Sequence, residues 1–271
     1  MIRSLWTAAT GMRAQQTNVD TIANNLSNVN TVGYKTEVNE FKSLLYQTIQ
    51  TKTTSKNGEQ KPVGAQVGLG VRNASITSIF TDGALLASES DTAFALSGNG
   101  FFAVRGEDGN TYYQRGGDFK WALNSQGGIM LATSDGLPVL DTKGQAISFG
   151  PQYVANRITV LDDGTFCYPD AKNNPQPMGV SFGIFQFNNP AGLEKTDSGL
   201  FRQSAASGGP INEATNNSVE KTKVTQGYLE GSNVQVVDEM VNLITAQRAY
   251  EFASKAITAS DEMMQQANNL R

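Results

Sequence analysis

The sequence predicts an α+β protein in which long N- and C-terminal helices pack together in a coiled-coil-like manner and a mostly antiparallel, β-rich middle domain lies between them. Proline and glycine divide the 271 residues in this way. All eight prolines lie between Pro62 and Pro210, and 23 of the 27 glycines lie between Gly58 and Gly209. Because both residue types interrupt helices, the two ends can form long helices while the middle has the turn residues that short strands need.

Each terminal helix is predicted by apolar residues at seven-residue spacing, which place a stripe along one face of a helix of about 30 residues. The N-terminal stripe, with residues three positions further on, comprises Leu5, Ala8, Met12, Val19, Ile22, Leu26 and Val29. The C-terminal stripe comprises Val236, Leu243, Tyr250, Ile257 and Met264. This spacing favours helices that pack nearly parallel. Two interpretations stay open: a helical hairpin within one chain, or stripes that contact other subunits.

The middle of the chain is predicted to form short strands joined by tight turns. Residues 101–105 and 111–115 read as two strands of a hairpin, and residues 158–161 and 165–168 as a second hairpin around Asp-Asp-Gly. Alternating apolar residues predict one further half-buried strand at 180–184. Frequent Gly, Asp and Asn turns favour an antiparallel sheet or small barrel over βαβ units.

Composition excludes several classes of function. The chain has 21 basic and 25 acidic residues and a net charge of −4, which is unlike the clustered basic surface of a nucleic-acid-binding protein. It has no histidine, the usual general base and the commonest metal ligand. The single Cys167 can form neither an internal disulfide nor a cysteine-ligated zinc site, and we expect it to be buried. We therefore expect no enzyme, catalytic residue, cofactor, metal site or nucleic-acid partner.

Three patterns that resemble chemical motifs have simpler structural interpretations. Residues 98–103 match a relaxed G-x-G-x-x-A fingerprint, but the apolar residues after it lead into another turn and not a helix, so we predict a turn between strands. Asp162 and Asp163 belong to a hairpin turn, and Asp238 and Glu239 to the first turn of the C-terminal helix. An envelope glycan hydrolase that uses a carboxylate pair stays an alternative without a specific pair to support it.

The N-terminal region shows neither a signal-peptide core nor, further along, an apolar run of about 18 residues. We therefore expect no membrane insertion and no cleaved signal peptide. Asparagines 24, 25, 28 and 30, followed by Gly33, predict the end of the first helix and a tight exit turn.

Residues 23–35 resemble the N-terminal signature of the bacterial flagellar rod and hook protein family. Residues 228–234 and 247–251 resemble the matching C-terminal signature, and residues 98–102 an internal motif. The family-motif residues are Asn24, Asn25, Asn28, Asn30, Thr31, Gly33, Tyr34, Lys35, Gln247, Arg248, Ala249 and Tyr250. Segments 1–6, 40–49 and 64–71 are most similar to distal-rod members of the family. A proximal rod or hook subunit and a secreted β-rich binding module stay open as alternatives.

The resemblance implies a domain organisation. Residues 1–45 would form the N-terminal helix of a helical core domain, 46–70 an extended arm or loop, 71–225 a β-rich outer domain, and 226–271 the C-terminal helix of the core. We expect the arm to lie against neighbouring subunits. The stripes would then be subunit interfaces, through Leu5, Met12, Val19, Ile22, Leu26, Val29, Val236, Leu243, Tyr250, Ile257 and Met264.

The resemblance also implies a structural function. The chain would polymerise with itself into a rigid, hollow, helical drive shaft that transmits torque from motor to hook and passes exported subunits through its lumen. Its other partners would be proximal rod and hook proteins, the surrounding basal-body ring proteins and the flagellar type III export apparatus. It would be located in the flagellar basal body, in the cell envelope or periplasm, after export without a cleaved signal peptide.

Overall fold

A computed structural model describes residues 2–50, 64–124, 127–170, 172, 174–216 and 218–269. It confirms the predicted α+β class. The two long helices lie at the two ends of the sequence, and the antiparallel, β-rich region is formed by the residues between them. The helices are α1 (Ile2–Ser27) and α2 (Val236–Asn269). In the described residues the strands are β1 (Glu37–Ser43), β2 (Tyr46–Gln50), β3 (Ala65–Gly68), β4 (Val71–Ser78), β5 (Leu85–Ala87), β6 (Phe94–Ser97), β7 (Phe101–Arg105), β8 (Thr111–Gln114), β9 (Phe119–Leu123), β10 (Ile129–Thr133), β11 (Ser148–Phe149), β12 (Thr159–Val160), β13 (Thr165–Pro169), β14 (Pro175–Ser181), β15 (Ile184–Gln186), β16 (Glu194–Lys195), β17 (Phe201–Arg202), β18 (Ile211–Asn212), β19 (Lys223–Gln226) and β20 (Tyr228–Glu230).

The chain divides into two compact units. The first contains α1, residues 37–78 and α2, and is called the helical unit here. The second contains residues 28–36 and 79–234 and is called the β-rich unit. The short segment that follows α1 thus belongs to the β-rich unit. Among the described residues, neither helix has the length and apolar character needed to cross a membrane.

In the helical unit, α1 and α2 run antiparallel. The hydroxyls of Ser4 and Ser260 lie 3.4 Å apart near one end of the pair, and the Asn25 amide donates to Glu239 near the other. Asp238 and Glu239 lie in the first turn of α2, as predicted, where negative charge complements the helix dipole. Two antiparallel ladders, β1 with β4 and β2 with β3, complete the unit.

In the β-rich unit, β7 is a central strand of a six-stranded sheet with the order β16-β17-β8-β7-β15-β18. Its side chains alternate between two cores, as expected for a strand covered on both faces. Phe101 and Ala103 enter one apolar cluster, and Phe102 and Val104 enter the other. In the larger cluster, the Phe102 ring packs edge-on against the Phe119 ring, with 5.1 Å between the ring centres. Burial of these aromatic rings contributes favourably to the folding of this unit.

The predicted hairpins are confirmed, as β7 with β8 and β12 with β13, and residues 98–100 form the predicted turn between β6 and β7. The single strand predicted at 180–184 is wrong, because the chain leaves β14 at Ser181 and begins β15 at Ile184. The Phe182 amide donates instead to the Gly164 carbonyl and the Gly183 amide to the Leu140 carbonyl, so the backbone changes partner there.

Helix α1 ends at Ser27, so Val29, predicted as a stripe residue, lies beyond the helix in the exit turn. The segment 1–45, predicted as the N-terminal helix, also contains strand β1. In the predicted arm, 46–70, the flanks form β2 and β3, while residues 51–63 lie outside the described residues. The domain boundaries inferred from the sequence stay predictions.

Candidate assembly surfaces and a buried charge cluster

The candidate site for assembly begins with the faces of α2. Its most buried residues, Glu239, Ala246 and Ser260, fall at multiples of seven and therefore share one face, which packs on α1. Two of the three are small, so they permit close approach of the two helices. Leu243, Ile257 and Met264 of the predicted stripe lie on this same side and are half-buried.

The remaining stripe residues are placed as follows. Ile22 is buried, Leu5, Met12, Val19, Leu26 and Val29 are half-buried, and Val236 and Tyr250 are exposed. Val19 shares a groove with Gln16, Gln247, Tyr250 and Glu251, which places this part of the N-terminal stripe beside α2. Within one chain the two stripes are thus partly covered by the helix pair itself.

A second apolar face of α2 is exposed and was missed by the sequence analysis. We call it the outer face, and it consists of Val237, Val241, Ile244 and Phe252. At 100° per residue, these positions lie opposite the face that packs on α1. Val237 is 73% exposed and Phe252 is 68% exposed. In the sequence, these four apolar residues are spaced by four, three and eight positions, which is a helical pattern. It is less regular than the seven-residue stripe, on which the prediction was based.

The two-stranded ladder of β2 and β3, called the ribbon here, also exposes apolar side chains on one face. Leu45, Ile49, Val67 and Leu69 are exposed. Alternation along each strand, with Val67 opposite Gln47, places Leu45, Val67 and Leu69 on the same side of the ladder, and Ile49 lies where the register shifts between Thr48 and Gln50. On the other side, the Tyr46 ring covers Gly68. A patch of this kind on a folded protein is typical of an interaction surface.

Asn25, a family-motif residue, connects three elements of the helical unit. It is 1% exposed, and its side chain forms a pair of hydrogen bonds with the backbone of Glu37: the amide donates to the carbonyl at 2.9 Å, and its oxygen accepts from the backbone N–H at 2.9 Å. The same amide donates to the Glu239 carboxylate at 3.2 Å. Asn25 therefore fixes β1 and the start of α2 to the end of α1.

The exit turn is built from the next family-motif residues and belongs to the β-rich unit. The Thr31 hydroxyl donates to the Asn28 side-chain oxygen, and the Thr31 amide donates to the Asn28 carbonyl, both at 3.1 Å. Gly33 has a φ of +69°, which glycine adopts at little cost. The sequence prediction of a tight turn is confirmed.

The β-rich unit also contains a charge cluster formed by the buried Lys35, Arg115 and Glu230 and by Asp82, whose side chain is 49% exposed. The Lys35 ammonium donates to one Glu230 carboxylate oxygen at 2.6 Å and to the Thr81 carbonyl at 2.6 Å. The Arg115 guanidinium donates to the other Glu230 oxygen at 2.7 Å and to Asp82 at 2.7 Å. Glu230 is fully buried, and each of its carboxylate oxygens faces a cation.

The electrostatics of the cluster favour ionised Glu230. Burial alone raises its pKa, but the hydrogen bond and positive charge of Arg115, together with those of Lys35, outweigh burial and hold the pKa of Glu230 below its ordinary value. Burial lowers the pKa of Lys35, against the opposing charge and hydrogen bond of Glu230. Sequence reasoning placed Lys35 in a motif but could not identify its partners.

The other family-motif residues are more accessible. Asn24, Asn30, Thr31, Gln247 and Arg248 are exposed. Arg248 donates to Glu251 at 2.8 Å, and the Lys195 ammonium lies 6.0 Å from the centre of the half-buried Tyr34 ring. Ala249 is half-buried.

Among the described residues, no group of three or more acidic or cysteine side chains could hold a metal ion. Cys167 is buried, as expected, and burial raises the pKa of its thiol.

Comparison with known proteins identifies the family. Three family models match the chain: "Flagella basal body rod protein" at residues 5–35, "Flagellar hook protein FlgE/F/G D1 domain" at 95–168, and "Flagellar basal body rod FlgEFG protein C-terminal" at 225–270. These ranges contain the N-terminal, internal and C-terminal motifs that suggested the resemblance.

Full-length relatives give the same result. The flagellar basal-body rod protein FlgG of Borreliella burgdorferi is 43% identical, over 100% of this chain and 99% of its own length. FlgG of Agrobacterium fabrum is 40% identical over 97% of both chains, and FlgG of Bacillus subtilis is 35% identical over 100% of both. All three relatives are named as rod proteins of the flagellar basal body.

The chain therefore belongs to the bacterial flagellar basal-body rod and hook protein family. Within that family it is a FlgG-like rod protein.

Proposed function

We propose that this chain is the structural subunit of the distal rod and polymerises into a rigid, hollow, helical drive shaft that transmits torque from motor to hook and passes exported subunits. The single observation that carries the proposal is full-length similarity to FlgG rod proteins. Its partners are further copies of itself, proximal rod and hook proteins, the surrounding ring proteins and the type III export apparatus. The chain acts in the cell envelope or periplasm after export without a cleaved signal peptide.

The helical unit supplies the proposed polymer contacts. The outer face exposes four large apolar side chains that a neighbouring copy would cover, and burial of apolar area is the main favourable contribution to association. The predicted stripe residues stay in the proposal as a second part of the interface, completed when neighbouring helix pairs pack side by side in a coiled-coil-like manner. A contact between different surfaces of successive copies does not close on itself and produces an open helical filament.

The arm is proposed to add stiffness. The exposed apolar side chains of the ribbon, Leu45, Ile49, Val67 and Leu69, support a contact with an adjacent subunit in the same polymer. Several contacts around each subunit resist bending better than one. Shortening of residues 51–61 should then yield curved tubes, whereas straight tubes would contradict the arm.

The proposed interface is tested by polymerisation of purified variants observed by electron microscopy. Val241→Asp places a charge on the outer face, and Leu26→Asp and Ile257→Asp place one on the stripes. Because an unpaired charge is costly in an apolar contact, we expect all three to abolish tubes while the β-rich unit stays folded. Asn242→Asp is the matched control, since Asn242 is exposed and adjacent in α2. Normal tubes from Val241→Asp would remove the outer face from the interface.

A further inference from the structure

The charge cluster joins parts of the chain that are far apart in sequence. Lys35 and Glu230 are separated by 195 residues, and Arg115 and Glu230 by 115 residues. The side chains of Lys35, Arg115 and Glu230 expose 1%, 3% and 0% of their surface. A chain can therefore complete this cluster only when most of its length is available.

The buried position of the Lys35 ammonium depends on Glu230, the cluster residue that comes last in the sequence. Its acceptors are the Glu230 carboxylate and one neutral carbonyl, that of Thr81. Burial of an ammonium group without a counter-charge is strongly unfavourable. Arg115 is different, because it also donates to Asp82 and to the Gly100 carbonyl. Without Glu230, Lys35 is therefore more stable in water than in its buried position.

The backbone around Lys35 depends on the same late segment. The Gly33 amide donates to the Glu230 carbonyl at 2.8 Å. The amide and hydroxyl of Thr36 both donate to the side-chain oxygen of Asn233, each at 2.7 Å. Residues 230–233 thus hold residues 33–36 through main-chain and side-chain contacts as well as through charge.

We propose that the charge cluster is a closure lock: residues 28–36 dock onto the rest of the β-rich unit, residues 79–234, only when residues 230–233 are in place. Synthesis proceeds from the N-terminus, so the segment after α1 stays undocked until Glu230 has been made. The lock therefore makes docking of the N-terminal motif conditional on a nearly complete chain. A buried ion pair suits this purpose, because it discriminates against incomplete partners even where it adds little net stability. The lock lies in one unit of one chain and does not depend on the proposed polymer.

Native-state hydrogen exchange of the full-length chain tests the lock. Glu230→Gln removes the counter-charge, and we expect the amides of Gly33 and Thr36 to exchange at least tenfold faster while those of β7 and β8 are unchanged. Glu194→Gln is the matched control, since Glu194 pairs with Arg202 at 2.7 Å on the surface of the same unit. Unchanged exchange of residues 33–36 in Glu230→Gln would overturn the proposal.

Two further measurements keep the test decisive. If Glu230→Gln does not fold, the double variant Lys35→Met with Glu230→Gln decides instead, because it removes the buried ammonium together with its counter-charge. Protected amides at residues 33–36 in a folded double variant support the lock, and a double variant that stays as unfolded as Glu230→Gln overturns it. In pulse labelling during refolding of the unmodified chain, Gly33 and Thr36 should become protected no earlier than Gly231, whose amide donates to the Ala84 carbonyl. Earlier protection of residues 33–36 would overturn the lock.

Discussion

At the scale of single residues, Gly33 shows how one position can require glycine for two reasons. Its φ of +69° is left-handed, and a Cβ atom there would lie 2.5 Å from the Gly116 amide nitrogen. The neighbouring atoms are backbone and cannot rotate away. The family motif therefore requires glycine here because of packing as well as because of the turn.

We expect Gly33→Ala to lower the free energy of unfolding through two effects. The left-handed backbone alone costs a non-glycine residue about 1–2 kcal/mol. Overpacking against Gly116 adds about 1–3 kcal/mol. Gly109→Ala is the matched control, because Gly109 has a φ of +78° and open space around its Cβ position. Urea unfolding of both variants measures the difference. Equal losses would show that the close contact with Gly116 contributes nothing.

The ionisation of Glu230 makes the free energy of unfolding depend on pH. Its folded pKa is lowered, so its contribution to stability is fully present above its unfolded pKa, about 4.3, and is lost as the pH falls through its lower folded pKa. Glu230→Gln should lower stability at pH 7 by about 3–5 kcal/mol, since it leaves buried cations uncompensated. Below about pH 4.3, the difference in free energy of unfolding between this variant and the unmodified chain should become smaller. Urea unfolding across a range of pH measures it. A gap independent of pH would contradict this assignment.

At the scale of elements, α2 has two apolar faces with different roles. One contains the small, buried Ala246 and the half-buried stripe residues and packs on α1, and the other is the exposed outer face. Periodicity detected the first because its spacing is regular. It could not show that α1 of the same chain covers this face, because packing between distant elements leaves no local pattern.

The packing of α2 on α1 predicts a difference between two alanines of one helix. Ala246→Leu adds volume where Ala246 is 3% exposed, and we expect overpacking to cost about 1–3 kcal/mol. Ala256 is exposed, so Ala256→Leu should change stability little. Thermal unfolding followed by circular dichroism at the helical band compares them. If both variants melt alike, α2 does not pack on α1 in the isolated chain.

At the scale of the whole molecule, the β-rich unit contains both extended aromatic clusters, whereas the helical unit exposes the outer face and the ribbon. Limited proteolysis of the full-length chain should therefore leave the β-rich unit resistant, as residues close to 28–36 and 79–234, with α1, α2 and the ribbon removed. Mass spectrometry of the fragment gives its ends. Survival of the intact chain would mean that the helical unit is already stable without other copies, which would favour an independent monomer over a polymer subunit.

Local features of the sequence predicted a good part of the fold and of the candidate site. The hairpin of β7 and β8 follows from a turn-rich segment between two alternating strands, and Asp238 and Glu239 follow from helix-dipole complementarity. The motif around Gly33 was also recognised from residues that are neighbours in the sequence. Lys35 was found as part of that motif, but the acceptors that explain its burial lie 46 and 195 residues away.

By itself, the sequence determined the terminal helices, the β-rich middle and the family, because periodicity, turn residues and short motifs are local properties of the chain. Only the tertiary structure decided which face of α2 stays exposed, where residues 180–184 change partner, and that Glu230 meets both Lys35 and Arg115. These outcomes depend on which distant segments fold together. Burial makes such contacts strongly favourable or unfavourable, yet nothing in the neighbouring residues records them.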